Sequence, residues 1–360
     1  IPLLCVMKQE IVSFFRGWDN MGLDDLMTSG WGNMLGNIRY WHAFNDKHEM
    51  NTSVVRSSYT LNGDMDMSDI SNSYNAGIKH VGLKQSFEWS PSEVFTLNYG
   101  LQSRFTDLIS LKAISPDLTR QEERHSWEND VWAGADLKPT EWLAMNVGVR
   151  LNMFSVLGGA PYYEIDKNGN ITNTYNYSSG KFVKTYFSLE PRFTANLKVN
   201  KTASIKLGYA RTGQNIRPLY NNGMMATFNR YTMSSNIFQP EKADQVSLGF
   251  VKLIKDGAYE LSAEAYYKTL DNVLDYKDGK NFTSEVEIER IILAGKGRSY
   301  GFEVMAKKNL GKLTGWVSYT LSWTQNKIEG INNGEWYTDS NDSRHDISIA
   351  AMYNLTKKWL

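Results

Sequence analysis

The sequence contains no long hydrophobic run, and this absence excludes a helical membrane protein. A spanning helix needs about 18 or more consecutive apolar residues, but the 360-residue chain has a negative mean hydropathy and no stretch of that length. Proline is also scarce, with 8 residues, whereas there are 28 glycines, 20 tyrosines and 11 tryptophans. This composition favours strands and bends over helices.

The sequence also has no excess of either charge, and it has a single cysteine. The 39 basic and 39 acidic residues give a formal net charge of zero, so charge does not indicate a nucleic-acid partner. Cys5 is the single cysteine, which excludes an internal disulfide and a multi-cysteine metal site. The five histidines are His42, His48, His80, His125 and His345. None of them has a metal-ligand spacing such as H-x-x-x-H, so we predict neither a metal nor a cofactor.

Short and long connections alternate along the chain. The predicted strands lie near residues 10–18, 33–44, 48–59, 73–89, 93–104, 125–137, 142–154, 183–199, 203–212, 242–254, 259–272, 297–309, 314–328 and 344–355. The short connections lie at 45–47, 90–92, 138–141, 200–202, 255–258, 309–313 and 356–358. The long ones centre on Asp24, Asp66, Pro116, Gly169, Gly223, Gly279 and Asn333. This alternation is typical of up-and-down barrels in outer membranes, which have short periplasmic turns and longer extracellular loops.

Side chains alternate between two faces in the clearest of these strands. The apolar set in one strand is Leu143, Met145, Val147, Val149, Leu151 and Met153, and the opposite face carries Asn146, Gly148, Arg150 and Asn152. Because successive strand residues point to opposite faces, we expect the first set to face lipid and the second to face the lumen. A charge facing lipid at the midplane costs about 2–4 kcal/mol, which explains why Arg150 belongs to the polar set.

Aromatic residues recur beside the short turns. They are Trp41, Phe44, Trp89, Phe95, Trp142, Trp316 and Trp359. At strand ends such residues form the interfacial girdle of a membrane barrel, where an apolar ring and a polar N–H are both accommodated. The alternative is ordinary strand-end packing in a soluble β protein.

Six segments of the chain are similar in sequence to one protein family. They lie at 189–193 (LEPRF), 242–249 (KADQVSLG), 259–268 (YELSAEAYYK), 295–301 (GKGRSYG), 314–322 (TGWVSYTLS) and 344–348 (RHDIS). Together they resemble the barrel of TonB-dependent outer-membrane receptors of the Bacteroidota type. The resemblance covers nearly the whole chain and is strongest from about Ser188 onward. It is specific to the family and not to a ligand.

The resemblance implies an all-β fold, a transmembrane antiparallel up-and-down β-barrel. We expect residues 1–360 to form one partial barrel domain, with about 14–15 of roughly 22 strands and without the plug and the C-terminal strands. Ile1–Glu10 fit the strand pattern poorly and show no signal peptide, so we expect an internal fragment of a longer protein.

The implied function is TonB-coupled import of a scarce nutrient, such as a siderophore, a cofactor or an oligosaccharide, across the outer membrane of a Gram-negative cell. The implied partners are the TonB complex, reached through an N-terminal segment that this chain lacks, the ligand, the membrane lipid and a surface lipoprotein. The alternative is a passive porin or a surface adhesion barrel, which works without a plug.

Aromatic, amide and guanidinium groups are interleaved in the predicted long loops, a mixture that suits a sugar-like or aromatic chelate ligand. The residues that we predict to contact the ligand are Arg211, Gln214, Arg217, Arg230, Tyr231, Trp336 and Tyr337. The alternative is that these loops only pack on one another.

Two local motifs indicate other chemistry, but each lacks a required part. Residues 297–301 match the G-x-S-x-G nucleophile motif, yet they run into a strand and not into the helix that exposes such a serine, so we do not predict an enzyme. Residues 64–69 and 166–170 are rich in oxygen ligands, but neither has the distal glutamate of an EF-hand loop. We interpret both as solvated loop tips, with Asn168-Gly169 in a turn that needs positive φ.

Overall fold

The computed structural model describes residues 3–16, 26–67, 70–114, 119–166, 168–219, 230–277 and 287–355. The strands are β1 (Leu3–Arg16), β2 (Leu26–Asn45), β3 (His48–Met67), β4 (Ile70–Ser92), β5 (Phe95–Ile114), β6 (Thr119–Thr140), β7 (Leu143–Leu157), β8 (Pro161–Ile165), β9 (Ile171–Asn176), β10 (Phe182–Asn200), β11 (Ala203–Gln214), β12 (Ile216–Leu219), β13 (Arg230–Met233), β14 (Glu241–Ile254), β15 (Tyr259–Tyr276), β16 (Ile292–Lys308), β17 (Leu313–Lys327), β18 (Tyr337–Thr338) and β19 (His345–Tyr353). One helical turn, α1 (Ile288–Ile291), and a 3-10 turn at Asn332–Gly334 complete the described structure.

Fifteen of these strands form one antiparallel sheet in which neighbours in sequence are neighbours in space. The order is β1 to β7, β10, β11 and β14 to β18, with β19 also paired to β17. The hairpins β8–β9 and β12–β13 form two separate small sheets. Within the described residues, β1 and β19 do not pair with each other, so closure of the sheet is not observed. No helix in the described part of the chain is long and apolar enough to cross a membrane.

The all-β, up-and-down antiparallel arrangement predicted from the sequence is confirmed, and each predicted segment overlaps a strand of the large sheet. Several strands are longer than the pattern indicates: β4 has 23 residues and β6 has 22. Strand β1 begins at Leu3, so residues that fit the pattern poorly also pair with β2. The hairpins β8–β9 and β12–β13 are not predicted by the sequence pattern. The predicted turn at 356–358 lies outside the described residues.

One face of the sheet is apolar because the exposed hydrophobic residues stand in register across the strands. One row runs through Leu101, Val131, Leu151 and Leu189, and a second runs through Leu207, Leu248, Ala265, Phe302 and Leu321. Leu151 is 47% exposed, whereas its neighbour Asn152 on the opposite face is 4% exposed. The predicted division into two faces is therefore confirmed. We call the apolar side the outer face and the opposite side the inner face.

Aromatic residues flank the apolar rows at the end of the sheet that carries the short turns. Phe44 contacts His48, and Trp89 packs edge-to-face on Phe95, at centroid distances of 4.9 and 6.1 Å. Strand alternation places Trp41 and Trp316 on the inner face instead. Trp359 lies outside the described residues.

The buried apolar core lies at the opposite end, where the long connections fold back. The main cluster joins Leu108, Phe154 and Val156 of the inner face to Tyr162 of β8 and Met233 of β13. A second cluster joins Leu219, Phe238, Ile288 and Ile292. Within the described parts of the chain the sheet has no second layer, so these loop elements supply the apolar groups that cover its inner face. We call the β8–β9 hairpin, the β12–β13 hairpin and α1 together the cap.

Candidate functional site

The cap is held by a buried ion pair at the end of β6 that lies nearest the long connections. The guanidinium of Arg124 pairs with the carboxylate of Glu289 on α1, and the two side chains are 9% and 4% exposed. Arg124 also lies over the ring of Tyr162, 5.0 Å from its centroid. Burial raises the pKa of Tyr162 to about 12, although Arg124 opposes this shift. The Tyr162 hydroxyl therefore stays protonated at neutral pH and donates to the carbonyl of Leu157 at 2.6 Å.

The β12–β13 hairpin is anchored on both of its sides. On β12, the Arg217 guanidinium donates to the carbonyls of Asn272 and Gln239, the second at 2.8 Å, and lies 3.5 Å from the Glu241 carboxylate. After β13, the carbonyl of Ser235 accepts a hydrogen bond from Tyr186 of the inner face. These contacts reach from β10 to β15, so the hairpin lies across the inner face.

Two further contacts connect the loops of the cap to one another. Asn236 donates to the carbonyl of Tyr163 on β8 at 2.8 Å, and Arg290 donates from Nε to the carbonyl of Gly169 at 2.8 Å. The tip of the β8–β9 hairpin is therefore linked to α1, and its base is linked to the segment after β13. The three long connections form one assembly and do not pack independently.

A network of charged and amide side chains lies on the inner face beside the cap. Arg150 binds Asp130 through two hydrogen bonds of 2.9 and 2.7 Å. Asn152 donates to both Glu128 and Asp130 at 2.7 Å. Asn215, immediately before β12, donates to the same Glu128 oxygen at 3.0 Å. The carboxylates of β6 therefore fix one end of the hairpin to the wall of the sheet.

The network continues along the inner face and has one more carboxylate than it has guanidinium groups. Arg104 pairs with Glu128, and Glu190 accepts a hydrogen bond from the backbone of Gly213 at 3.1 Å. The hydroxyl of Ser188 and the amide oxygen of Asn215 are buried without a hydrogen-bond partner among the described residues. These two atoms can accept hydrogen bonds from water or from a polar ligand.

Beyond this network, toward the short turns, the inner face carries an open groove of about 660 Å³. Its polar lining includes Glu88, Asn98, Asp136, Asn146, Asn196 and Lys206. A polar groove that continues a polar network gives the inner face a hydrophilic surface over most of its length. This contrasts with the apolar rows of the outer face.

The tip of the β8–β9 hairpin is shaped by a carboxylate. Asp166 Oδ1 accepts hydrogen bonds from the backbone of Asn168 and Asn170 at 2.9 and 2.8 Å, and Gly169 has the predicted positive φ, 85°. Hydrogen bonds from Asn170 lower the pKa of Asp166, and a hydrogen bond from Asn173 lowers the pKa of Glu164. Local hydrogen bonds account for the conformation of this tip.

The residues predicted to contact a ligand do not converge on one point. Arg211 lies on the outer face and forms two hydrogen bonds of 2.9 Å with Asp244. Trp336 also lies against the outer face, where the Arg298 guanidinium is 4.1 Å from its ring centroid. Tyr337 is close by in sequence, but its hydroxyl donates to Asp275 at 2.7 Å.

The other predicted residues belong to the β12–β13 region. Gln214 is exposed and donates to the carbonyl of Ile216 at 3.1 Å. Arg217 is buried, and the carbonyls and the carboxylate described above occupy its guanidinium. Tyr231 packs edge-to-face on Tyr59 with a centroid distance of 6.0 Å. Arg230 pairs through its backbone with Leu219.

The sequence pattern predicts no functional role for Glu128, Asp130, Glu190 or Asn215. A signal for part of this set is present, because β6 carries Glu122, Arg124, Ser126, Glu128 and Asp130 at every second position. Such a polar alternation indicates one hydrophilic face. Nothing in the local sequence indicates that Asn215 reaches Glu128, 87 positions away.

Ser299, the serine of the G-x-S-x-G match, lies inside β16, and its hydroxyl is 3.2 Å from that of Thr324. The strand continues through the motif to Lys308. Among the described residues, no group of three or more histidine, cysteine, aspartate or glutamate side chains is arranged to hold a metal ion.

A long antiparallel sheet with an apolar outer face, a polar inner face and folded loops at one end is typical of outer-membrane β-barrels. The chain belongs to the TonB dependent receptor-like, beta-barrel family, whose model matches residues 14–359. The family is one of outer-membrane transport receptors and not of enzymes. No curated protein matches the sequence significantly.

Solved structures with the same fold include three receptors. The ferric-catecholate import receptor Fiu of E. coli K12, in its closed form, is 14% identical with a TM-score of 0.58, over 95% of this chain and 53% of the receptor. The siderophore receptor PiuA of Acinetobacter baumannii is 11% identical with a TM-score of 0.62, over 99% and 60%. The pyoverdine outer membrane receptor FpvA of Pseudomonas aeruginosa PAO1 is 12% identical with a TM-score of 0.61, over 92% and 49%. The chain thus spans about half to three fifths of the length of these three receptors.

Proposed function

We propose that this chain forms part of the membrane wall of an energy-coupled importer in the outer membrane of a Gram-negative cell. The observation that carries the proposal is the two-faced sheet of a TonB-dependent receptor family member: in-register apolar rows outside, and a polar network and groove inside. An apolar outer face is stable against lipid, and a polar inner face is compatible with a hydrated path for a polar ligand. We therefore place the outer face in contact with lipid.

The domain organisation of the whole protein is part of the proposal. We infer that residues 1–360 supply about 14–15 of roughly 22 barrel strands, and that a plug and the remaining strands complete the receptor. Support comes from the receptors with the same fold, which are covered to 53% and 60% by this chain. The TonB complex is the proposed source of energy, and a surface lipoprotein is a further proposed partner. The Bacteroidota-type resemblance remains a prediction.

The proposed substrate is a scarce nutrient, such as a siderophore, a cofactor or an oligosaccharide. The three receptors described above are named for ferric-catecholate import, a siderophore and pyoverdine. This supports a bulky ligand that carries hydrogen-bonding groups. The open groove of the inner face, whose polar lining includes Asn98, Asn146 and Lys206, suits such a ligand.

Among the predicted ligand contacts, we propose that Gln214 and Tyr231 meet the ligand first. They lie on or beside the β12–β13 hairpin; the Gln214 side chain is exposed, and the Tyr231 ring is partly exposed where it packs on Tyr59. Arg217 has internal partners and holds the cap, and the Tyr337 hydroxyl is bound to Asp275 of β15. Arg211 and Trp336 lie on the outer face. Arg230 remains a predicted contact.

The ion conductance of the purified full-length protein, measured in planar lipid bilayers, distinguishes an importer from a passive barrel. A plugged importer keeps its pore closed, so we expect no steady ion conductance. Steady open-channel conductance, without any denaturant or force, would identify a passive porin and withdraw the proposal. A surface adhesion barrel would also show no steady ion conductance, but cells that produce it would not accumulate ligand in a TonB-dependent way.

A further inference from the structure

The outer face of β15, β16 and β17 changes its chemistry in steps toward the long loops. Ala265, Phe302 and Leu321 form one cross-strand row of apolar side chains. The next row outward is aromatic and contains Tyr267, Tyr300 and Trp323, whose rings stack at centroid distances of 6.0 and 5.3 Å. Rows two residues apart are separated by roughly 7 Å. The aromatic row is therefore placed like an interfacial girdle, at the end opposite to the short turns.

Cations follow directly outside this aromatic row. Arg298 lies two residues beyond Tyr300 on β16, and Lys296 lies two residues beyond Arg298. Lys296 stands directly opposite Lys327 of β17, and both side chains are exposed. Like charges at directly opposite positions repel each other. An anion between the two ammonium groups would relieve this repulsion.

Two guanidinium groups of the same surface are held in place by indole rings. Arg298 lies 4.1 Å from the ring centroid of Trp336, and Arg344 lies 4.9 Å from that of Trp323. The Nε of Arg298 donates to the amide oxygen of Gln325 at 2.9 Å. Stacking on tryptophan keeps a guanidinium oriented without neutralising its charge.

Acidic groups on this surface are fewer than the cations. Asp271 stands opposite Lys296, and Asp342 pairs with Arg344 at 3.1 Å. The cations of this surface are Lys296, Arg298, Lys327 and Arg344. Neither lysine forms an ion pair with a carboxylate of the described residues. The surface therefore carries an excess of positive charge where the apolar face ends.

Two other parts of the outer face lack this excess. In the same cross-strand row as Arg298, the guanidinium of Arg211 is already bound by Asp244 through two hydrogen bonds. Near β5 and β6, the stacked rings of Phe105 and Trp127 are followed outward by the pair of Asp107 and His125. In these two parts of the outer face the charged groups beyond the apolar rows are paired, in contrast to the lysines of β16 and β17.

We propose that Lys296, Arg298, Lys327 and Arg344 bind the phosphate groups of a lipid headgroup in the leaflet nearest the long loops. The inference rests on the proposed placement of the outer face in a membrane, and it is independent of the imported ligand. Aromatic rings mark the depth of the interface, and basic groups just outside it meet anionic headgroups. The indole rings orient the guanidinium groups, and the opposed lysines supply the space and charge for a phosphate.

The test uses the purified full-length protein in dodecyl maltoside and, as probe, a glucosamine-disaccharide lipid that carries two phosphate groups. Native mass spectrometry measures the binding of this lipid and of the same lipid after removal of its phosphates. Each cation contributes about a fivefold gain in affinity near an anionic surface. We therefore expect the triple variant Lys296→Gln/Arg298→Gln/Lys327→Gln to bind the phosphorylated lipid about a hundredfold more weakly.

The matched control is Arg211→Gln, which removes the same charge from the same row but from a guanidinium already paired with Asp244. We expect it to change lipid affinity by less than twofold. Equal weakening by Arg211→Gln, equal binding of the dephosphorylated lipid, or displacement of the lipid by millimolar inorganic phosphate would each overturn the proposal.

A second experiment measures insertion of the protein into phosphatidylcholine vesicles by its heat-dependent gel mobility. It distinguishes a failure of the headgroup site from a failure of the proposed function. If the wild-type protein does not insert, both fail. If the wild type and the triple variant insert equally but bind the phosphorylated lipid with equal affinity, only the headgroup site fails.

Discussion

Arg124 on β6 and Glu289 on α1 form a buried ion pair although they are 165 positions apart in sequence. The pair connects the wall of the sheet to the loop that follows β15. A buried charge that loses its partner is strongly destabilising, whereas replacing both partners by apolar groups is often neutral. The pair is therefore a sensitive test of how the cap is held.

Glu289→Gln is expected to weaken the cap. It leaves the Arg124 guanidinium buried without a countercharge, which costs about 3–5 kcal/mol. The free energy of opening at α1 and β8, measured by hydrogen exchange of their backbone amides, should fall by this amount. The paired variant Arg124→Met/Glu289→Leu is the control and should recover most of the loss. Unchanged exchange in Glu289→Gln would show that the ion pair does not hold the cap.

Asn215→Ala is expected to loosen the β12–β13 hairpin. It removes the hydrogen bond to Glu128, and hydrogen bonds to charged groups contribute about 1.5–3 kcal/mol. Amides of Tyr231–Met233 should exchange faster, by about tenfold or more, while those of β6 stay protected. Thr212→Ala, a change at an exposed residue of β11, should leave these rates within twofold of the wild type. If both variants behave alike, Glu128 is not the anchor of the hairpin.

Leu248→Lys and Ser247→Lys are expected to differ in membrane insertion. Leu248 belongs to an apolar row of the outer face, whereas Ser247 lines the groove of the inner face. A lysine on the lipid side costs about 2 kcal/mol or more within the apolar band, and a lysine in a hydrated interior costs much less. Folding yield into phosphatidylcholine vesicles should fall for Leu248→Lys and stay near wild type for Ser247→Lys. The reverse ranking would mean that the two faces are assigned the wrong way round.

The β8–β9 hairpin is expected to open in acid. Hydrogen bonds lower the folded-state pKa of Glu164 and Asp166 below their ordinary values of 4.5 and 3.8. Their contribution to stability is fully present above these ordinary values, and it is lost as pH falls through the lower folded values. Exchange of the Asn168 and Asn170 amides, corrected for intrinsic rates, should rise in that range. Asp166→Asn should remove most of this pH dependence, and its persistence would assign the effect to another group.

The strands and their two faces could be predicted from the sequence because both depend on local alternation. Apolar residues at every second position of β7 predict that Leu151 and Asn152 face opposite ways, and the structure agrees. The same alternation, applied to Leu207, Tyr209 and Arg211 of β11, would have placed Arg211 on the outer face. Its proximity in sequence to a long loop favoured a ligand contact instead.

The cap could not be predicted because its contacts join distant parts of the chain. Arg217 is a charged residue in a predicted loop, and nothing local indicates that it is buried against the carbonyls of Gln239 and Asn272. The pairing of β8 with β9 also depends on long connections that carry little periodicity. Packing of these loops over the inner face decides their structure, and it has no signature within one segment.

Ligand accumulation by cells that produce the full-length protein, measured with and without functional TonB, shows whether the protein is an energy-coupled importer. The labelled panel contains ferric catecholate, ferric citrate, a corrinoid and maltooligosaccharides. We predict that at least one compound accumulates above the level in cells lacking the protein, and that this accumulation disappears without TonB. Equal entry of small panel compounds with and without TonB would contradict an energy-coupled importer and identify a passive pore.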